Sequence, residues 1–338
     1  MTGVVGARDR PGDQGRRWTV TIGSIVLSSC LPPATLQPAE GSVAESTVDA
    51  RAEPARCRVL IGERDREGRL STREVRWGGG LEISVGLREG LVLGDAQELV
   101  AITLERRAYD STDLYGDAMV RCEEDVIMMR ELAEKVARPL VVGLPSCFGE
   151  VDGEQVSLSS SLQIVSGLGP YLGWREVVDG VAPEPTSKLA YHTVDVRDGR
   201  RLEADVWLLE PTETMKTAFE SVGVDCKRDD APQSPAAIDG FAIRWSDAGG
   251  PRLLAGYRCC GRRSCELDEP LPKTDAELAA RLPDPDRLLH SPLGCGSLGL
   301  DGQLRTRDGV VVGSIVLDAR KLVGVLFLPE DHPFELDW

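Results

Sequence analysis

The chain has 338 residues, 41% of them hydrophobic and only 5% aromatic, so a packed core has to be built mainly from Val, Leu, Ile and Ala. A formal charge of −16 argues against nucleic acid as a partner, because binding phosphates needs Lys and Arg to displace counterions. No stretch reaches the ~18 consecutive apolar residues of a spanning helix, and the acidity suits solubility or a basic partner drawn in by the field.

Residues 1–17, MTGVVGARDRPGDQGRR, are polar and end on Arg16-Arg17, and WTVTIGSIVLSS follows without a charge. A positive flank, a short apolar core and small residues form the layout of a secretory signal. The alternative for TVTIGSIVL is an ordinary β-strand. Leu27-Ser28-Ser29-Cys30 resembles the lipobox of bacterial lipoproteins. That resemblance implies cleavage before Cys30, thioether lipidation of Cys30 and acylation of the new amino terminus. Several acyl chains are what firm anchoring requires. The expected organisation is therefore a lipoprotein signal over 1–29 and membrane contact through the lipid at Cys30. Leu31 stands where an Asp would resemble the inner-membrane retention signal of enteric lipoproteins, which favours the outer membrane, and the exported chain is expected at the outer membrane or periplasmic face rather than in the cytoplasm. Residues 30–55 are rich in Pro, Ala, Ser and Glu and hold too little apolar surface to order themselves. They read as a tether with an r.m.s. reach of about 25–30 Å.

The body, 56–270 with a subdivision near 150, reads as short strands joined by Gly-containing turns. Within it, CEEDVIMMRELAEKVAR (122–138) carries Val126, Met129, Ala133 and Val136 at helical spacing, early acids and late bases, and Pro139 to end it. Residues 212–222 and 274–282 are further helix candidates, the latter with Thr274 and Glu277 placed for a capping box. Asp198-Gly199 marks a hairpin between HTVDV and RLEADV, and Asp152-Gly153, Asp301-Gly302 and Asp308-Gly309 give similar turn signals. A Pro-rich stretch, 271–290, is expected to link a carboxyl-terminal β module, 291–338, whose GVVVGSIVLDARKLVGVLFLPED reads as two strands turning near Asp318 to Lys321. The fold class expected is α+β, mostly antiparallel β-sheet with a few helices, stabilised by disulfides.

Residues 162–208, with the hairpin VDVRDGRRLEADVW and a later strand GFAIRW (240–245), resemble the extracytoplasmic domain of lysozyme-sensing anti-sigma factors and of peptidoglycan deacetylase accessory regions. What the resemblance implies is a binding role in the cell envelope, with a protein or cell-wall ligand. The signalling and deacetylase motifs of that family are not present, so neither activity is carried over.

Nine cysteines occur, and setting Cys30 aside as a lipid site leaves eight: Cys57, Cys122, Cys147, Cys226, Cys259, Cys260, Cys265 and Cys295. An even number in an exported chain reads as up to four disulfides of unreadable connectivity. The adjacent pair Cys259-Cys260 is expected to bond to two different partners. A zinc site from CCGRRSC with Cys295 is the rival, but the ligand spacing of known sites is missing. His192 is expected to face away from the side that Val194 and Val196 bury, and Glu123-Glu124-Asp125 and Asp229-Asp230 to be solvated faces. No nucleophile, metal-ligand or phosphate-loop motif occurs, so neither an enzyme nor a cofactor is expected. The leading reading is a non-enzymatic, envelope-anchored lipoprotein. Its alternatives are an envelope hydrolase, in one form using Cys147 with His192, and a purely structural surface lipoprotein.

Overall fold

A computed structural model describes residues 56–338 except 78–80, 83–86, 96, 112–119, 133–135, 152–153, 182–184, 211–214, 216, 218–237, 239, 247–249, 259–263 and 334–338. The signal-like segment, Cys30, the tether, Asp229-Asp230, and Cys226, Cys259 and Cys260 lie outside the described residues, as does most of the helix expected over 212–222.

Strands dominate. In chain order they are β1 (Cys57–Arg64), β2 (Leu70–Trp77), β3 (Leu81–Glu82), β4 (Leu87–Glu89), β5 (Leu91–Gly94), β6 (Leu99–Ser111), β7 (Val120–Glu131), β8 (Ala137–Val142), β9 (Ser146–Val151), β10 (Glu154–Leu168), β11 (Tyr171–Val181) and β12 (Pro185–Asp195). The single-turn helix α1 (Ala204–Trp207) precedes β13 (Phe241–Arg244), β14 (Arg252–Arg258) and β15 (Ser264–Pro270). A second single turn, α2 (Ala276–Ala279), leads to β16 (Leu288–His290), β17 (Gly296–Gly299), β18 (Gln303–Thr306), β19 (Val311–Ser314) and β20 (Leu322–Leu328). The fold is thus mostly β-sheet with few helices. Pairing is antiparallel throughout except between β10 and β20, which makes the main sheet mixed.

The main sheet closes on itself. Hydrogen bonding runs β2–β1–β20–β10–β9–β7–β6–β5. β4 leads into β5 through Gly90, and β4 pairs back onto β2. The corner needs glycine: φ is 95° there, and an added Cβ would lie 2.7 Å from the Ile102 carbonyl oxygen. Gly90 N donates to Leu70 O at 2.9 Å. Thr72, fully buried on β2, spans the rest of the corner. Its Oγ1 donates to Gly90 O at 2.8 Å and accepts from Val92 N at 3.1 Å. One hydroxyl therefore replaces ladder bonds that the kink removes, as buried backbone groups demand.

Across the opposite wall, Thr72 faces Gly62, Gly62 faces Gly324 and Gly324 faces Gly167 in register. A Cβ on Gly62 would overlap Leu91, one on Gly167 would overlap Leu91 and Leu93, and one on Gly324 would overlap the Gly167 backbone. Gly62 and Gly167 let β5 press Leu91 and Leu93 onto β1 and β10, and Gly324 lets β20 approach the β10 backbone. The core so formed includes Leu70, Leu91, Leu93, Ile102, Ile127, Met129, Leu162 and Ile164. The other face of β1, β2 and β20 buries Val59, Ile61, Val75, Trp77 and Phe327 in a larger core. That core is shared with α1, the β13–β14–β15 sheet and the β16–β17–β18–β19 sheet.

Several expectations are corrected. The predicted helix 122–138 is instead strand β7 with β8 beyond it. Val126, Ile127, Met128 and Met129 are all buried, as in a strand covered on both faces. β7 pairs with β6 over Val120–Glu131, so the long-range ladder overrides local propensity. Pro139 ends no helix. It sits in β8, which pairs only with β7, beside a register shift, where a missing N–H costs little. The Asp198-Gly199 turn forms, with Gly199 at φ 72°, but its return makes one bridge, Val194 to Arg201, before coiling into α1. The cap of α2 is Asp275, whose carboxylate accepts from Glu277 N at 2.7 Å, while Thr274 bridges to Leu208. The turns at Asp301-Gly302 and Asp308-Gly309 join β17, β18 and β19, with glycine φ of 84° and 79°. The two carboxyl-terminal strands do not pair with each other: β19 joins β18, and β20 runs between β1 and β10.

Replacing Thr72 by Val, which keeps the shape and leaves Gly90 O and Val92 N unpaired, is expected to cost about 1–3 kcal/mol in urea unfolding. Thr72→Ser should cost clearly less. Equal midpoints for Thr72→Val and wild type would contradict the role given to this hydroxyl.

Candidate functional site

At one end of the closed sheet the inner apolar rows run out into a cleft of about 490 Å³. Leu70, Leu104, Leu162 and Ile164 form its apolar lining, and Glu67, Arg106, Asp125, Gln163 and Arg175 supply polar groups. A smaller recess of about 200 Å³ adjoins it and shares Glu67, Leu70, Leu104, Arg106 and Asp125. Apolar walls with a few convergent polar groups at a barrel mouth are the usual form of a small-ligand site.

The topology explains the opening. β9 ties β7 to β10 only through Arg121–Glu123 and Glu154–Leu158. Past β9 the seam is held by side chains. Ser146 Oγ donates to Ser160 O and accepts from Ser160 N, both at 2.7 Å. Asp125 then accepts from Leu162 N at 3.0 Å and from Arg106 Nε and Nη2 at 2.8 and 3.3 Å. Arg106 lies directly opposite Asp125 in register. The Asp125 side chain is 5% exposed and that of Arg106 61%, so the carboxylate is structural and the guanidinium reaches the rim. The hydrogen-bonded Asp125 carboxylate holds Arg106 above the ordinary guanidinium range. Asp125 was expected on a solvated face. The helical reading of 122–138 hid it, since only strand pairing places it against Arg106 and β10.

On the wall formed by β10 and β11, Gln163 faces Arg175 in register. Arg175 Nε is buried and has no partner among the described residues. Arg64 reaches the same wall, donating from Nη1 to Ile164 O at 2.8 Å. Burial and the neighbouring Arg244 charge push the Arg64 pKa down.

The residues singled out in the sequence scatter elsewhere. Cys57 bonds Cys295, joining β1 to the segment before β17, and Cys122 bonds Cys147 across β7 and β9. Cys265 is also disulfide-bonded. Its partner lies outside the described residues, because the other four described cysteines bond each other. Cys147 is therefore no free nucleophile, and Cys265 and Cys295 are not thiolates awaiting zinc. His192 does not face away from Val194. Residues two apart share a strand face, and its ring lies 5.0 Å from Trp174, in the core that holds Val194. A side-chain hydrogen bond with His192 and the Lys188 charge hold Glu176 below its ordinary range against burial. His290 pairs with Asp284 at 2.7 Å, and His332 lends its carbonyl to Arg58. Among the described residues no group of three His, Cys, Asp or Glu is placed to hold a metal ion, and no helix is long and apolar enough to cross a membrane.

A second polar cluster braces α2 over the β10–β11 turn. The Tyr171 hydroxyl donates to Glu277, and the Arg281 guanidinium stands 5.4 Å from the Tyr171 ring centroid. Asp195, whose side chain is 2% exposed, accepts from Arg197 N at 3.0 Å and Nε at 2.9 Å. Burial pushes the Asp195 carboxyl up, but the Arg197 side-chain and backbone hydrogen bonds outweigh it and hold the carboxyl below the usual range.

No family model, curated protein or solved structure matches the chain.

Because the folded pKa of Asp195 is depressed, its contribution is complete above the unfolded value of about 3.9 and is lost as pH falls through the folded value. Wild type should exceed Asp195→Asn in urea midpoint at neutral pH, and the gap should close below about pH 3.9. A gap that stays constant down to acid pH would count against this linkage.

Proposed function

We propose that the protein is a non-enzymatic lipoprotein, anchored through Cys30 in the cell envelope, whose body binds an envelope component or a protein partner there. The observation that carries this reading is the Cys57–Cys295 bond, buried at both ends and spanning 238 residues. Disulfides of this kind persist in oxidising compartments and are rare in a reducing cytosol. In the chain-entropy account a loop of this length contributes on the order of 5 kcal/mol, so the fold depends on the compartment. The uncharged run ending in Leu27-Ser28-Ser29-Cys30 supplies the route out, and the Pro- and Ala-rich residues after it supply a tether. The cleft beside Arg106 and Arg175 supplies a place to bind.

Palmitate fed to cells expressing the full chain should label wild type and not Cys30→Ser. Equal labelling would remove the anchor from the account. Peptide mapping of the alkylated, unreduced protein from the envelope fraction should recover Cys57 linked to Cys295 and Cys122 linked to Cys147. Free thiols at these four positions would remove the export.

A further inference from the structure

We infer that the cleft takes a small amphiphile with a carboxylate head, the head lying on Arg175 and Arg106 and the apolar body on Leu70, Leu104 and Val177. The inference rests on reading the body as a binding module and names the chemistry of what it binds. Charge balance around the cleft is the first argument. Its two lining acids are already engaged, Asp125 by Arg106 and Leu162 N, and Glu67 by Arg69 at 3.5 Å. Arg175 has no acid partner among the described residues, which leaves one unneutralised guanidinium in the wall of a strongly acidic protein.

Arg175 Nε is buried without an acceptor among the described residues, and a buried donor without a partner is destabilising until something accepts from it. A carboxylate suits a planar guanidinium because two parallel N–H···O bonds can form. Arg106 adds further donors, since Asp125 occupies only its Nε and one Nη2 position. A cationic amphiphile would meet Arg175 unfavourably, and a purely polar anion would leave the leucines wet. Two sources share the required chemistry, a fatty acid and the free carboxyl terminus of an apolar peptide.

The test is titration calorimetry of the full chain with decanoate, N-acetyl-Leu-Leu and decyltrimethylammonium, each below its micelle concentration. The expected result is saturable one-to-one binding of at least one carboxylate and none of the cation, with the preferred carboxylate naming the source. Arg175→Met should weaken that binding about tenfold or more. Gln163 is exposed and faces Arg175 across the strand pair, so Gln163→Glu should supply an internal carboxylate and compete the ligand away without loss of melting temperature. Absence of binding by both carboxylates, equal binding of the cation, or undiminished affinity in both variants would overturn the inference. None of these outcomes bears on palmitate labelling, so the anchor and the ligand class fail independently.

Discussion

The close approach of β5 to the row Gly62–Gly324–Gly167 is the constraint on which the rest of the body depends. Three strands from distant parts of the sequence meet there without side chains between them: Leu91 and Leu93 fill the space that the missing Cβ atoms of Gly62 and Gly167 leave, and the Gly167 backbone fills that of Gly324. Packing this tight leaves no slack, because interiors sit near crystal density and an added methyl group must displace something. With β5 seated, the kink at Gly90 and the Thr72 hydroxyl complete the return from β4 to β2. A sheet that would otherwise expose two edges then has its hydrogen bonds largely satisfied within itself.

Closure also dictates where the molecule opens. A circuit of strands with unequal lengths cannot keep every pair in register to its ends. Where β9 stops, main-chain pairing between β7 and β10 gives way to Ser146 and Asp125. The same substitution that seals the seam puts a fixed guanidinium at its rim, because Asp125 orients Arg106 while accepting from Leu162 N. The candidate site is thus a by-product of how the barrel wall is completed, with Arg175 a lining cation that has no acid partner among the described residues. At the far end the buried Arg58–Glu74 pair, at 2.6 Å, is satisfied internally.

Legibility in the sequence followed the range of the interactions. Turns set by a single glycine, such as Gly302 and Gly309, were readable because the reason for them is local. The β-rich body was readable from its turn signals, and disulfide bonding from the number of cysteines. The segment 122–138 was not, since its acids and bases imitate a helix dipole and only the ladder to β6 makes it a strand. Asp125 went with it. The pairing of β20 with β1 and β10 was also hidden: local pattern matched a hairpin with β19, and the partners lie far apart along the chain. Arg175 carried no signal at all, because its meaning comes from what fails to approach its Nε.

The disulfides fit the same picture. Cys57–Cys295 pins the β16–β17–β18–β19 sheet to β1, and Cys122–Cys147 clamps β7 to β9 one register pair before their ladder ends at Glu123 and Ser146. The most direct test of the closed circuit is a nuclear Overhauser experiment on the full chain with glycine-selective labelling. The account predicts cross-strand contacts from Gly324 to both Gly62 and Gly167. Contacts from β20 to β19 in a hairpin, with none to Gly62 or Gly167, would contradict it.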